Sequence, residues 1–447
     1  MGNVIIIPEN LMAMPGASVT AGSEASASYA ANNMLTERPS KRWRSTSQAP
    51  SHAYAYFSLP GGAFSVNAVA LVRHNLYRGD QYRFFTDAST FLAGYTGYNP
   101  TGTVAGATTN TASTYADVDN GETTPGATFA GPTNSNLAWS LGLSFATPSV
   151  APVTGADKQA FWVYLKATPT STSYCTVNCW LYENGAPVAD LGTRSIASST
   201  GQWLCFPWNA SSLGTASGAN VECYLYMTKI SVANYVQVGS VVWACDALAR
   251  TNDSGWQTYS PFSGSGITYK PVVEGKGNVL LYQIGSTINP ATVHVQLRLS
   301  QSPLDYSALN ELLPTPDGYA AIGTVVMGEV WQPAINISHG KLAGVVDPSP
   351  RRRTYGGGLF GSRRPTRRVV AVNVGHQTKT EAHTILDRVL WRHGLMKPFV
   401  VSTLPDDATQ GKATTLFGHL RNAENWLNVQ PDEGYENNFS LEFEEVL

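Results

Sequence analysis

Charge is the scarcest property of this chain. Only 13% of its 447 residues are Asp, Glu, Lys or Arg, about half the usual quarter. With a net charge of −2, the chain has no overall electrostatic pull toward nucleic acid or membrane. Apolar runs approaching the roughly 20 residues of a bilayer span are absent. The opening stretch, residues 1–8, lacks the basic and long apolar regions of a secretion signal and is expected to form a first strand.

Cysteine is sparse as well: Cys175, Cys179, Cys205, Cys223 and Cys245, with no Cys-x-x-Cys pair. The odd count argues against a disulfide framework and the spacing argues against zinc, which leaves buried thiols acting as small core residues. No Gly-x-Ser-x-Gly, His-Glu-x-x-His, phosphate-binding loop or dinucleotide fingerprint occurs. Asp and Glu are scarce in the strand-like segments where a glycosidase would carry its carboxylate pair. The sequence therefore predicts a protein that is not an enzyme and needs no cofactor.

Gly, Ser, Thr, Ala and Asn fill the place of charge, while 43% of the chain is hydrophobic, with 11 Trp, 21 Tyr and 15 Phe. That mixture suits short strands, many turns and real cores. Residues 1–97 read as short strands, among them the continuous apolar run Ala68-Val-Ala-Leu-Val72, expected to be covered on both faces. Residues 98–126 are rich in Thr, Gly, Ala and Asn and read as a linker or surface loop. A second strand-rich block follows to residue 249, with clear alternation in Glu222-Cys-Tyr-Leu-Tyr-Met227. Asn252-Asp-Ser-Gly-Trp256 then resumes the style of the first block, as far as residue 345.

Past an Arg/Gly-rich segment at 346–368, a strand at Arg368–Val374 precedes a helix. Thr378 and Glu381 form its capping box, and Ala382, Ile385, Leu386, Val389 and Leu390 make one apolar stripe. Strands are expected at 398–404, 415–420, 424–429 and 438–445, giving the order β-α-β-β-β.

The segment from Asn33 through Trp43-Arg44-Ser45 resembles the early part of the discoidin-like, galactose-binding-type jelly rolls of phage virion proteins. Asn252-Asp-Ser-Gly-Trp256, Asp317-Gly-Tyr-Ala-Ala-Ile-Gly323 and Gly328-Glu-Val-Trp331 look like later parts of the same module. The resemblance implies one discontinuous sandwich, 1–97 with 250–345. Residues 98–249 would be inserted in it as a jelly roll similar to a carbohydrate-binding module. Residues 369–447 resemble the tail-tube-like domain of phage tail and baseplate components, as in distal tail proteins.

The implied protein is mainly β, stands in a virion tail, and forms a symmetric ring, hexameric or trimeric. It would contact the tail tube and the tail-tip or hub proteins, with host-surface glycan as a further ligand and no specific nucleic acid. A virion glycan adhesin is the alternative, with a polysaccharide-degrading enzyme behind it.

Three groups of residues carry candidate chemistry. Trp180, Trp203, Trp208, Tyr224 and Tyr226 are either core or a platform on which the apolar face of a pyranose stacks. Arg351, Arg352, Arg353, Arg363, Arg364, Arg367 and Arg368 are either an assembly arm or a solvated hinge, with the acidic residues Glu442, Glu444 and Glu445 available as partners. Asp246 is a weak calcium candidate beside a sheet edge. His383 and His393 fall on different helix faces and make no metal pair, and Asp406-Asp407 reads as a solvated turn.

Overall fold

The computed structural model describes residues 4–46, 53–60, 64–76, 80–86, 95–98, 100–103, 127–129, 139–145, 159–167, 175–196, 202–213, 220–228, 236–246, 252–259, 279–299, 319–333, 342–353, 355, 359–362, 364–377, 380, 383–384, 386–391, 394–403, 405, 415–421 and 437–446. Several sequence expectations lie outside these residues: the bulk of the 98–126 linker, the Thr378–Glu381 capping box, the 424–429 strand, Arg363, His393 and Asp406-Asp407.

The fold is mainly β and antiparallel, arranged as two sandwiches and a further sheet. One sandwich faces a five-stranded sheet (Ser18–Ala21, Tyr54–Ser58, Gln81–Phe85, Gln257–Thr258 and Thr292–Arg298) against a three-stranded one (Val66–Val72, Val279–Ile288 and Thr324–Gly328). Alternate residues of both, such as Phe57, Val69, Leu71, Phe84, Val295 and Val325, fill the space between them. The period of two makes this possible, because each strand offers one apolar row to the partner sheet.

The two distant segments of this sandwich pair directly. Trp43 and Arg44 stand opposite Ile322 and Ala321. The Ser45 hydroxyl accepts the Ala320 N–H at 2.8 Å while the Ser45 N–H donates to the Ala320 carbonyl at 2.9 Å. Trp43 is fully buried, and its indole N–H donates to the Ser23 carbonyl at 2.8 Å. It is a core residue of the sandwich.

The second sandwich interrupts the first. One of its sheets runs Ala186–Ile196, Cys175–Glu183, Val221–Thr228, Trp139–Phe145, Pro100–Thr103 in spatial order. The other runs Gln202–Trp208, Gln159–Ala167, Val236–Asp246, Tyr95–Tyr98, with Ala127–Phe129 also on Val236–Asp246. Tyr95–Tyr98 and Pro100–Thr103 thus sit in these sheets, where the sequence suggested the end of one domain and a linker. Cys179, Cys205 and Cys223 are buried thiols outside any disulfide; Cys179 and Cys223 lie 3.5 Å apart at sulfur in the core between the sheets.

The six-stranded sheet near the C-terminus has the order Ile5–Ile7, Phe399–Ser402, Thr415–Leu420, Asn437–Glu445, Arg367–Gln377, Leu342–Val346. Two of these strands differ from the sequence reading, which placed Ile5–Ile7 and Leu342–Val346 in the discontinuous sandwich. Strand pairing decides the matter: Ile5, Ile6 and Ile7 face Ser402, Val401 and Val400. Trp331 exchanges backbone hydrogen bonds with Ile6 at 3.0 and 2.7 Å, and packs with Val4, Ile6 and Phe399 in this core.

Of the expected apolar helix stripe, Val389 is fully buried in the same cluster. Thr380, His383 and Thr384 are α-helical, as the spacing predicted, and Leu386–Trp391 is then wound as a looser π-helical turn.

Ala68–Val72 explains how sandwich and sheet are joined. Val69 and Leu71 point into the sandwich. Ala68, Ala70 and Val72 point the other way, onto Ile7, Val400 and Phe417. The run is apolar on both faces because both are covered, and small side chains on the outer row allow close approach.

Candidate functional site

The five candidate aromatics do not form one surface. Trp203 and Trp208 lie five positions apart in one strand, so the period of two sends them to opposite faces. Trp208 lies between the sheets, with ring centroids 5.5 Å from Phe161 and 5.6 Å from Trp243. Trp203 lies on the far face, buried with Trp162, Tyr164 and Cys205. Both are at most 4% exposed; they are packing residues, and a sugar has no access to either ring.

Trp180, Tyr224 and Tyr226 do come together, on the outward face of the other sheet. Cys179, Leu181, Cys223 and Leu225 take the inward positions of the two central strands. Their neighbours in sequence therefore project outward in cross-strand rows. Asn178 stands opposite Tyr226, Trp180 opposite Tyr224, and Tyr182 opposite Glu222. On the far side of Val221–Thr228, the row partners are the small residues Ser140, Gly142 and Ser144. Tyr224 consequently has an aromatic neighbour on one flank and a glycine on the other.

The rings cohere. Tyr182 and Tyr224 have centroids 4.1 Å apart, Tyr224 and Tyr226 6.3 Å. The Tyr182 and Tyr226 phenol oxygens share a hydrogen bond at 2.9 Å. Trp180, Tyr182, Tyr224 and Tyr226 are all partly exposed, unlike the two buried tryptophans of the opposite sheet. Tyr182, Asn178 and Glu222 were missed as site residues in sequence. Each falls two positions from a candidate, which is the signal that would have found them.

Two acceptors border the rings. Glu222 is 7% exposed, and among the described residues its Oε2 has no hydrogen-bond partner; Asn178 Oδ1 is likewise buried and unpartnered there. An unmade bond to a buried polar atom costs about 1–3 kcal/mol. Burial raises the Glu222 carboxyl above its ordinary range, against a hydrogen bond from the Gly185 backbone that lowers it. Burial also raises two of the phenols. Tyr226 is pushed up to about 12 by burial, then by its bond to Tyr182, and Tyr224 is raised by burial and then by the nearby Glu222. Tyr224 and Tyr226 therefore stay protonated at neutral pH.

The arginines also divide. Arg351–Arg353 pairs with Leu359–Gly361 as a two-stranded hairpin, with Arg353 and Tyr355 exposed. Arg364 is exposed too, its N–H held by Ser349 Oγ at 2.8 Å. Arg367 and Arg368 instead belong to the six-stranded sheet. Arg367 pairs with Glu444 at 2.9 Å and Arg368 with Glu445 at 2.7 Å. Arg421 takes Glu442 at 2.8 Å. The acidic C-terminal strand is thus engaged within the chain. Arg367 and Arg368 stand where an adjacent strand delivers carboxylates, and they are not part of an exposed arm.

Asp246 ends the strand Val236–Asp246, opposite Tyr95. Among the described residues, no group of three or more His, Cys, Asp or Glu side chains gathers to hold a metal ion, and no helix is long and apolar enough to cross a membrane.

No protein-family model and no curated protein matches the chain. Weak likenesses to solved structures exist. The structure of infectious bursal disease virus Gt strain is 9% identical with a TM-score of 0.15, over 65% of this chain and 76% of that one. The Gx strain structure is 11% identical with a TM-score of 0.14, over 59% and 70%. T=1 particles derived from infectious bursal virus give 10% and 0.14, over 62% and 70%. Scores this low carry no argument about function.

Proposed function

We propose that this chain is a structural protein of a virion, in the distal tail or baseplate of a tailed phage, that assembles as a ring and displays its inserted sandwich outward. Its mechanism is binding and assembly, without turnover. The six-stranded sheet is the assembly part, meeting the tail tube on one side and tip or hub proteins on the other, as a hexamer or a trimer.

The observation that carries this reading is the apolar cluster of Ile7, Ala68, Ala70, Val72, Val279, Val326, Val400 and Phe417. It joins the outer row of the first sandwich to the six-stranded sheet, so the part that carries the insertion is mounted on the assembly part through a shared core. The resemblance of the Asn33–Ser45 and Asp317–Trp331 segments to virion jelly rolls points the same way.

The hairpin around Tyr355 supplies the contact between subunits in this reading, because Arg353 and Arg364 are exposed while the chain's own C-terminal carboxylates are engaged elsewhere. The test is the particle mass of the purified full chain, with electron microscopy of the same sample. A monodisperse ring is expected, and a variant lacking 351–361 should fold but remain a monomer. A wild-type chain that stays monomeric and fails to enter virions would overturn the assembly role. Rings that form unchanged without 351–361 would overturn the hairpin's part in it.

The second reading, a virion glycan adhesin, is favoured by the outward aromatic face of the inserted sandwich. It shares that recognition element with the first reading and differs in lacking the ring. Release of reducing ends from a host polysaccharide would overturn the non-enzymatic mechanism in both.

A further inference from the structure

We propose that the outward face formed by Trp180, Tyr182, Tyr224 and Tyr226 binds an uncharged glycan, with Asn178 and Glu222 accepting hydrogen bonds from its hydroxyls. The inference rests on the reading of the inserted sandwich as a recognition element and specifies its site and its ligand class.

Three observations carry it. The first is geometric. The rows Asn178–Tyr226, Trp180–Tyr224 and Tyr182–Glu222 lie side by side along two paired strands. Successive rows are two residues apart, about 7 Å, so the three span about 14 Å. Gly142 opposite Tyr224 sets no side chain against that ring from the neighbouring strand. The result is a partly exposed aromatic strip, with ring surface against which the C–H faces of sugar rings can pack.

The second is the pair of unsatisfied acceptors. Glu222 Oε2 and Asn178 Oδ1 are buried and make no hydrogen bond among the described residues, and Glu222 is more than nine-tenths buried. A folded sheet gains nothing from leaving such atoms unpaired, and buried polar atoms are otherwise almost always bonded. A ligand that brings O–H donors to the two ends of the strip removes both costs. The Tyr224 phenol, and whichever of Tyr182 and Tyr226 accepts in their shared bond, add donors, so the face offers both halves of what a hydroxyl group needs.

The third observation sets the class. The outward positions of the strands Trp139–Phe145, Cys175–Glu183, Ala186–Ile196 and Val221–Thr228 include the carboxylates Asp190 and Glu222, but no Lys or Arg. A uronic or sialic acid would place its carboxylate beside like charge, and no Lys or Arg at the described outward strand positions answers it. Uncharged hexoses meet no such penalty.

The experiment is titration of the full-length chain, followed by tryptophan emission and calorimetry. The probes are neutral oligosaccharides (gluco-, manno- and galacto-configured) and, in parallel, sialylated and uronate-containing ones. Binding of at least one neutral series is expected, with at least a tenfold loss of affinity in Tyr224→Ala and in Glu222→Ala, each checked to be folded by a cooperative melting transition well above the assay temperature. Trp180→Phe should abolish the emission change. Trp203→Phe, on the other sheet, should leave affinity as it was.

Preference for the acidic series would overturn the ligand class while leaving the recognition reading intact. Neutral binding that survives both alanine variants in folded protein would put the site elsewhere and overturn the proposal. Absence of binding to either series would overturn the recognition reading itself. Should Tyr224→Ala fail to fold, Tyr224→Leu, which keeps apolar bulk but not the flat ring, takes its place with the same expected loss.

Discussion

Arg83 and Asp253 stand 170 positions apart in sequence, on either side of the inserted sandwich, and meet in a two-point ion pair. Arg83 Nε donates to Asp253 Oδ1 at 2.7 Å, and Nη2 reaches Oδ2. Asp253 Oδ1 also accepts the Gly255 N–H at 2.9 Å, which shapes the Asp-Ser-Gly-Trp turn. The chain leaves the first sandwich near one partner and returns near the other, so the pair ties exit to re-entry.

The Arg83 side chain is 2% exposed. Asp253→Ala would remove this two-point pair from a buried guanidinium, and losing charge-assisted bonds of this kind costs about 1.5–3 kcal/mol. Urea unfolding should show that drop, with the transition of the first sandwich moving. A change below about 1 kcal/mol would mean that the pair does not hold the turn.

The arginines near the C-terminus should separate by role. Arg368 gives Glu445, itself 4% exposed at the side chain, two charge-assisted bonds at 3.1 and 2.7 Å. Arg368→Ala is expected to lower stability by about 2–3 kcal/mol. Arg353→Ala, on the exposed hairpin, should stay within about 0.5 kcal/mol and show its effect in assembly mass instead. Equal stability losses in the two variants would contradict the division.

Gly328 closes the joint between the first sandwich and the N-terminal strand. A Cβ there would be driven onto the Glu9 backbone carbonyl and stand 3.2 Å from Ile7 Cγ2. Gly328→Ala should therefore destabilise by about 1–3 kcal/mol. Gly344→Ala is the control: its Cβ would meet nothing within 4 Å, and its melting temperature should hardly move.

Glu222 makes stability depend on pH in a direction that can be checked. Its folded-state pKa is raised, chiefly by burial, so the folded chain binds that proton more tightly than the unfolded one. The stabilising effect of protonation is fully present below the ordinary glutamate range, about pH 4, and is lost as pH rises through the raised value. Glu222→Gln, neutral at every pH, should be more stable than wild type at pH 7, with the gap shrinking toward pH 4. A gap that does not change across paired melts at these pH values would contradict the burial of an ionised carboxylate.

Much of the fold was legible in local pattern. Alternation in Glu222–Met227 placed Cys223 and Leu225 on one face and Tyr224 and Tyr226 on the other, as found. Parity alone would also have separated Trp203 from Trp208 and added Tyr182 to Trp180. The apolar run Ala68–Val72 announced a strand covered twice. What parity cannot say is which face meets the partner sheet, and that is why Trp180 stands partly exposed while Trp203 is buried.

The sequence by itself determined the mainly-β class, through period-two rows, turn-forming residues and a shortage of charge, because those are properties of a few neighbouring residues. Only the tertiary structure decided that Ile5–Ile7 pairs with Phe399–Ser402 nearly four hundred positions away, that Arg367 and Arg368 meet Glu444 and Glu445, and that Asn178 and Glu222 flank the exposed rings. Strand partners are chosen by long-range burial and register, and no local pattern encodes which of many similar apolar rows will meet.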